Sequence, residues 1–322
     1  MTDKDANETA IPAFSHYPVM LTECIEGLHI DPAGIYVDCT LGGGGHSEQI
    51  AKRLTAGGKL VCIDQDICAI RAAGARLAPY ADRIVFEHDN FSNIREILDR
   101  NHIDKVNGAL IDLGVSSYQL DTPERGFSYQ YDAPLDMRMD PDAAFSAYDV
   151  VNTYGEDDLK RILFDYGEER FAPRIAANIV KFRAQKPVET TFELSDIIKS
   201  SIPAKNRAEG GHPAKRSFQA IRIEVNGELA IIEPTVRALS SVLAPDGRLC
   251  VITFHSLEDR IVKQTYQALA KGCTCPPDFP VCVCGKKPEL EILTRKPVTA
   301  GEAELAENNR SHSAKLRIAR RL

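Results

Sequence analysis

The chain has 322 residues, is 43% hydrophobic and 26% charged, and carries a formal net charge of −7. That length can bury a full α/β core with room for a second domain. The sequence has no apolar run of about eighteen residues, which excludes a transmembrane helix, and Met1–Ala10 lacks the basic and apolar regions of a signal peptide. Nine cysteines, an odd number, suit reduced thiols in a cytoplasmic protein better than a disulfide framework. The acidic average hides an asymmetry. Lys160 to Arg222 holds 13 Lys/Arg against 7 Asp/Glu, and Arg310 to Leu322 holds five cations and no acid. Such segregation suits either a localised polyanion-binding face or ordinary solvated helices.

Met1–Phe14 reads as a flexible tail. After it, strand and helix signals alternate: a strand at Gly34–Thr40, a helix at Gly45–Thr55, a strand at Lys59–Asp64 and an Ala-rich helix from Asp66 to about Leu77. A third strand at Arg83–His88, a helix at Asn93–Arg100 and a fourth strand at Val106–Leu113 follow. Short apolar strands separated by helices predict a parallel, doubly wound α/β sheet. From Leu120 to Gly211 helical patterns take over, at Glu156–Asp165, Glu168–Lys186 and Phe192–Ser200. A helix over Arg222–Leu243, which Gly227 or Pro234 kinks or divides, leads into a strand at Gly247–Phe254. A helix at Leu257–Lys271 and a strand at Ala314–Ala319 finish the chain. The expected organisation is a core over 15–125 and 216–322, split by a helical insertion at 126–215.

The string Asp38-Cys39-Thr40-Leu41-Gly42-Gly43-Gly44-Gly45-His46-Ser47 joins the first strand to the first helix. A glycine turn at a helix N-terminus brings backbone N–H groups close to a ligand. Dinucleotide folds put an anionic pyrophosphate there, over three spaced glycines. Here the third glycine position is Ser47, and the acid Asp38 precedes the turn. A ligand with an ammonium group and no phosphate fits better, and S-adenosylmethionine is one.

The carboxyl ends of successive strands present Asp38, Asp64, His88-Asp89 and Asp112. In an open parallel sheet these ends converge on the ligand crevice. Asp64 stands at the spacing from Gly42 at which an acid reaches ribose hydroxyls, Asp38 can pair with an amino group, and Asp89 and Phe91 can meet an adenine edge and face. The competing reading is helix N-capping by Asp64 or Asp66 and by Asp89 or Asn90.

Downstream come longer polar strings: Asp112-Leu113-Gly114-Val115-Ser116-Ser117-Tyr118-Gln119, Leu135-Asp136-Met137-Arg138-Met139-Asp140, Tyr166-Gly167-Glu168-Glu169-Arg170, His212-Pro213-Ala214-Lys215-Arg216 and Phe254-His255-Ser256-Leu257-Glu258-Asp259. In this order they resemble the MraW/RsmH family of bacterial rRNA methyltransferases, from His16 to Arg317. The resemblance implies a class I S-adenosylmethionine-dependent fold with an inserted helical domain. It also implies N4-methylation of a cytidine in the P-site region of 16S rRNA in the small ribosomal subunit. The family's cofactor positions fall here on Gly44, Gly45, His46, Asp64, Phe91, Asp112 and Gln119. Gly42, Asp38 and Asp89 are added by their place at the turn and strand ends.

The cytosine N4 lone pair is delocalised into the ring, so transfer needs alignment and an acceptor for an N–H proton. Asp112, Asp136, His255 and Asp259 are the candidates. Many amino-methyltransferases follow the fourth strand with a Pro-Pro-aromatic string. This chain has Leu113-Gly114-Val115, so Phe127, Tyr129 or Phe254 must clamp the base. Arg138, His212, Lys215, Arg216 and Arg222 are candidate RNA contacts, with solvated cations or ion pairs as the alternative. Cys273, Cys275, Cys282 and Cys284 can supply four thiolates to a structural zinc, although the usual C-x-x-C spacing is absent; a reduced loop is the alternative. A homodimer is compatible with the sequence but not required by it. Two other function classes compete: an NAD-dependent dehydrogenase, disfavoured by Asp38 and Ser47, and a non-catalytic RNA-binding protein, disfavoured by the intact turn.

Overall fold

Buried apolar runs form the centre of a seven-stranded sheet. The structure is a computed structural model that describes residues 18–322 except 56, 208–210, 274, 276–280, 282 and 283. The expected tail, Met1–Phe14, lies outside the described residues. The strands are β1 (Ile35–Asp38), β2 (Lys59–Asp64), β3 (Ile84–His88), β4 (Val106–Asp112), β5 (Leu243–Thr253), β6 (Leu290–Ile292) and β7 (Lys315–Arg321), in the order β3-β2-β1-β4-β5-β7-β6. β1 to β5 run parallel, while β7 pairs antiparallel with both β5 and β6. The order of strands along the chain turns back between β1 and β4, which is where an open α/β sheet leaves a ligand crevice. The sheet is doubly wound, as expected. The short β6 was not anticipated.

Helices cover both faces. On one side lie α1 (Leu21–Leu28), α2 (Gly45–Ala51) and α3 (Ile67–Leu77), packed on Tyr36, Leu60, Cys62, Leu110, Cys250 and Ile252. On the other lie α4 (Ile94–Arg100), with α11 (Glu228–Val242) and α12 (Ser256–Ala270), packed on Val37, Val61, Ala109, Ile111, Leu249 and Val251. Neighbouring residues of one strand belong to opposite layers, as the pleat requires. Double coverage accounts for the near-continuous apolar reading of β2 and β4.

Between β4 and α11 the chain forms α5 (Ser117–Asp121), α6 (Ala147–Thr153), α7 (Glu156–Asp165), α8 (Ala172–Arg183), α9 (Thr191–Ser201) and α10 (Lys215–Asn226), with α13 (Glu302–Glu307) following β6. A separate apolar cluster runs from Phe127 to Ile221, with Ile162, Ile175, Leu194, Ile198, Phe218 and Ile221 buried in it. So α10 packs with the insertion. The single helix expected over Arg222–Leu243 is instead two. Gly227, at φ +61°, ends α10 and starts α11, whereas Pro234 lies within α11. The left-handed φ is open to glycine without strain, and this residue divides the helix.

Candidate active site

The turn after β1 is built by contacts within the protein. Ser47 Oγ donates to Asp38 Oδ2 (2.6 Å), and the Thr40 N–H donates to Asp38 Oδ1 (3.2 Å). Asp38 is 1% exposed and lies beneath the turn, off the cavity wall, unlike the other strand-end acids of the expected set. Its carboxyl joins β1 to α2, and burial raises its pKa. Ser47, at the position where dinucleotide folds carry glycine, is its partner. Gly44, at φ +73°, caps α2 and would press a Cβ to within 3.1 Å of Ala73. A Cβ at Gly45 would come within 2.2 Å of Pro18. At these two positions the demand for glycine comes from neighbouring protein atoms. Gly42, Gly43 and Gly45 line the cavity; Gly44 does not.

That cavity, about 930 Å³, opens over the strand ends. It stands at the upper end of the ~300–1,000 Å³ usual for small-molecule sites. On the sheet side it is lined by Gly42, His46, Asp64, Asp89, Phe91, Asp112 and Gln119, so the expected cofactor residues come together with the exceptions of Asp38 and Gly44. Asp64 accepts from the Gly42 N–H (2.8 Å) and the Asp66 N–H (2.9 Å). Burial lifts its pKa to about 6 despite those bonds. The capping reading holds for the second residue of each expected pair: Asp66 caps α3, and Asn90 accepts from the Ser92 N–H. Asp89 is held by Arg100 (2.6 Å) and Asn93 (2.8 Å), which keep its pKa low against the upward pull of burial.

Asp112 is a strongly perturbed carboxyl of this wall. Burial, then the negative neighbours Asp38 and Glu258, push its pKa to about 8. Its Oδ1 has no hydrogen-bond partner among the described residues. Its Oδ2 lies 4.0 Å from His46 Nδ1, too far for a hydrogen bond. His46 donates Nε2–H to the Val19 carbonyl (3.0 Å), and burial lowers its pKa, so the ring is neutral. Gln119 lines the wall with both ends of its amide engaged: Oε1 accepts from Ser116 N–H and Nε2 donates to Asp66. An orphaned buried carboxylate oxygen, a second carboxylate and exposed glycine backbone suit a cation-bearing ligand with ribose hydroxyls. They suit a pyrophosphate poorly.

On the insertion side the cavity is lined by Tyr129, Gly167–Phe171, His212, Lys215, Arg216, Gln219 and Arg222, and at the end of β5 by Phe254, His255 and Glu258. His212 stacks on Tyr129, with ring centroids 4.2 Å apart and planes at 6°. Lys215 and Arg216 are exposed at the start of α10. Arg222 is different. Its guanidinium bonds both Glu228 oxygens at 2.9 Å across the Gly227 break, so it is already neutralised and is no bare phosphate contact. Arg138 is likewise engaged within the protein, held bidentately by Asp136 and bonded to the Ala143 carbonyl.

The four acceptor candidates separate cleanly. Asp136 and Asp259 lie off the cavity, and each is held by an arginine, Arg138 and Arg317 respectively. Asp112 and His255 remain on the wall. His255 Nε2 stands 3.1 Å from Glu258 Oε1, although neither ring nitrogen makes a well-formed hydrogen bond among the described residues, and His255 forms the capping box at the start of α12 with Glu258. Burial alone would raise the Glu258 pKa, but His255, the Phe254 N–H and Arg222 bring it below the usual carboxylate value. Of the three aromatics proposed to clamp a base, Phe127 is buried in the insertion core, while Tyr129 and Phe254 line the cavity. Sequence reading missed the Arg222–Glu228 pair and the part of Glu258, although the Phe254–Asp259 string contained the latter.

The cysteine-rich segment is elsewhere. The Sγ atoms of Cys273, Cys275 and Cys284 lie within 4.8 Å of one another, and none of these residues lines the cavity. Cys282 lies outside the described residues. Among the described residues no helix is long and apolar enough to cross a membrane.

A family model described as the MraW methylase family matches residues 13–322. A ribosomal RNA small subunit methyltransferase H from Lachnospira eligens is 57% identical over 312 residues, covering 97% of this chain and 99% of its own. Its namesake from Clostridioides difficile is 55% identical over 309 residues, covering 96% and 99%. A ribosomal RNA small subunit methyltransferase H 2 from Agathobacter rectalis is 56% identical over 306 residues, covering 95% and 98%.

Proposed function

Because the chain belongs to the MraW methylase family, we propose that it is an S-adenosylmethionine-dependent methyltransferase of small-subunit rRNA. Its target is the N4 of a cytidine in the P-site region of 16S rRNA, presented by the small ribosomal subunit. The observation that carries this reading is one continuous cavity with two unlike halves. Strand-end carboxylates and a glycine turn lie at one end, and exposed cations with a stacked aromatic pair lie at the other.

Asp64 offers its remaining lone pairs to ribose hydroxyls, Asp89 and Phe91 flank an adenine, and Asp112 Oδ1 faces the positive end of the cofactor. When bound, S-adenosylmethionine supplies a methyl group on a positively charged sulfur. Lys215 and Arg216 hold RNA phosphates, and their contribution falls with salt. Tyr129 and Phe254 offer faces for a base turned out of its stack. His255 is the proton acceptor: the Glu258 carboxylate lies 3.1 Å from its Nε2 and steadies the imidazolium that forms when the ring takes the N4 proton as the new C–N bond forms. Asp112 suits this role less well, since burial raises its pKa to about 8 in the empty cavity and its free oxygen is engaged by the positive end of the bound cofactor.

Tritiated S-adenosylmethionine tests the reading, using small subunits from cells that lack the modification and naked 16S rRNA in parallel. Label is expected on cytidine N4 in the particle. Label on protein, or none on either RNA, would overturn the assignment.

A further inference from the structure

The chain leaves α12 at Ala270 and must reach the edge strand β6 at Leu290. The far end of this connection is fixed. The Glu289 N–H donates to the Leu269 carbonyl (2.8 Å), and Leu290 and Ile292 pair with Arg321 and Ala319. Between these points apolar burial does nothing to hold the chain: among the described residues from 271 to 288 none is buried. Yet three thiols from positions eleven residues apart converge here. The Cys273 and Cys284 sulfurs are 3.7 Å apart, and Cys275 lies within 4.8 Å of both. A disulfide requires about 2.05 Å. Two sulfurs bound to one tetrahedral zinc at ~2.3 Å each stand ~3.8 Å apart.

We propose that Cys273, Cys275 and Cys284 bind a structural zinc ion as thiolates and so fix the connection between α12 and β6. Binding forms three S–Zn bonds and releases three thiol protons to solvent, with no change of oxidation state. Lys271, Lys286 and Lys287 stand near in sequence and offset the negative charge that three thiolates leave on the ion. The cavity begins at the opposite end of α12, around His255 and Ser256, so the metal takes no part in methyl transfer.

The test uses the full-length chain, purified under reducing conditions without chelator. Elemental analysis is expected to find about one zinc per chain, falling to near zero in Cys273→Ser and in Cys284→Ser and unchanged in Cys68→Ser. Cobalt(II) substitution of the wild-type chain is expected to give thiolate charge-transfer absorption and the intense visible bands of a tetrahedral site. Absence of both zinc and the cobalt spectrum in the reduced wild-type chain would overturn the proposal, as would full zinc retention in Cys273→Ser. If a serine variant also loses cofactor binding through misfolding, the wild-type cobalt spectrum still decides.

Discussion

The two halves of the cavity obtain their charge in opposite ways. On the sheet side, acids stand at the ends of β2, β3 and β4 and face the cavity with raised or anchored carboxylates. On the insertion side, the sequence is rich in cations, but several are spent within the fold. Arg222 is held by Glu228, Arg138 by Asp136, and Arg125 by the buried Asp66. Lys215 and Arg216 are the cations from the expected RNA set that remain exposed at the rim. A count of charges along the chain therefore overstates the free positive charge on the insertion side, while a count of strand-end acids describes the sheet-side wall fairly well. Strand register fixes where a strand-end side chain points, but helix periodicity leaves its ion partner open.

The largest effect that would break this division is expected at the junction of the halves. His255→Asn should lower kcat by ~10²–10⁴-fold and leave cofactor affinity, measured by equilibrium dialysis, nearly unchanged. Glu258→Gln should lower kcat less and shift its pH profile, since it acts through the imidazole. A loss of under tenfold in His255→Asn would remove it as acceptor and return Asp112 to that role. Next in size is Asp64→Asn. Losing a charged hydrogen-bond acceptor costs ~1.5–3 kcal/mol, so cofactor binding should weaken ~10- to 100-fold while rRNA binding holds. Equal loss of both would mean the halves are not separable.

A smaller effect is expected at the rim. Lys215→Ala with Arg216→Ala should make the salt dependence of particle binding shallower by about two phosphate contacts. Arg138→Ala should leave that slope alone and lower stability instead. Filter binding across a salt series distinguishes the two, and a change of slope in Arg138→Ala would show that its pairing with Asp136 opens on RNA.

Much of this contrast could be read from the sequence, and its failures have physical causes. β1, β2 and β4 were legible because strands buried on both faces have no polar alternation to confuse them. β6, three residues long, carries too little pattern to register. The break at Gly227 was visible as a glycine, but apolar residues at Ile221, Ile223, Ile232 and Val236 sustain helical spacing across it. With one continuous helix assumed, Arg222 and Glu228 are not on the same face, so their ion pair was hidden. Asp38 stands apart from the other strand-end acids for a related reason. Ser47 stands where a dinucleotide fold has glycine, and its hydroxyl engages the Asp38 carboxylate within the protein.

The smallest expected effect concerns stability, and it tests whether the sheet side is strained when empty. Asp112 titrates near 8 in the fold and near 3.8 when unfolded. Between those values the folded chain holds a proton that the unfolded chain has lost. Stability conferred by this group therefore falls as pH rises from about 4 toward 8 and levels off above that. Asp112→Asn removes the titration. Its melting temperature should match the wild type near pH 4 and exceed it by a few degrees at pH 8, with the gap opening progressively between. Cofactor should narrow the gap in the wild type, because a positive ligand beside Oδ1 favours the ionised carboxylate. The asparagine variant should gain less from cofactor. If the two melting curves stay parallel across this range, Asp112 is ionised at neutral pH even in the empty cavity, and the case for His255 over Asp112 as acceptor loses its electrostatic half.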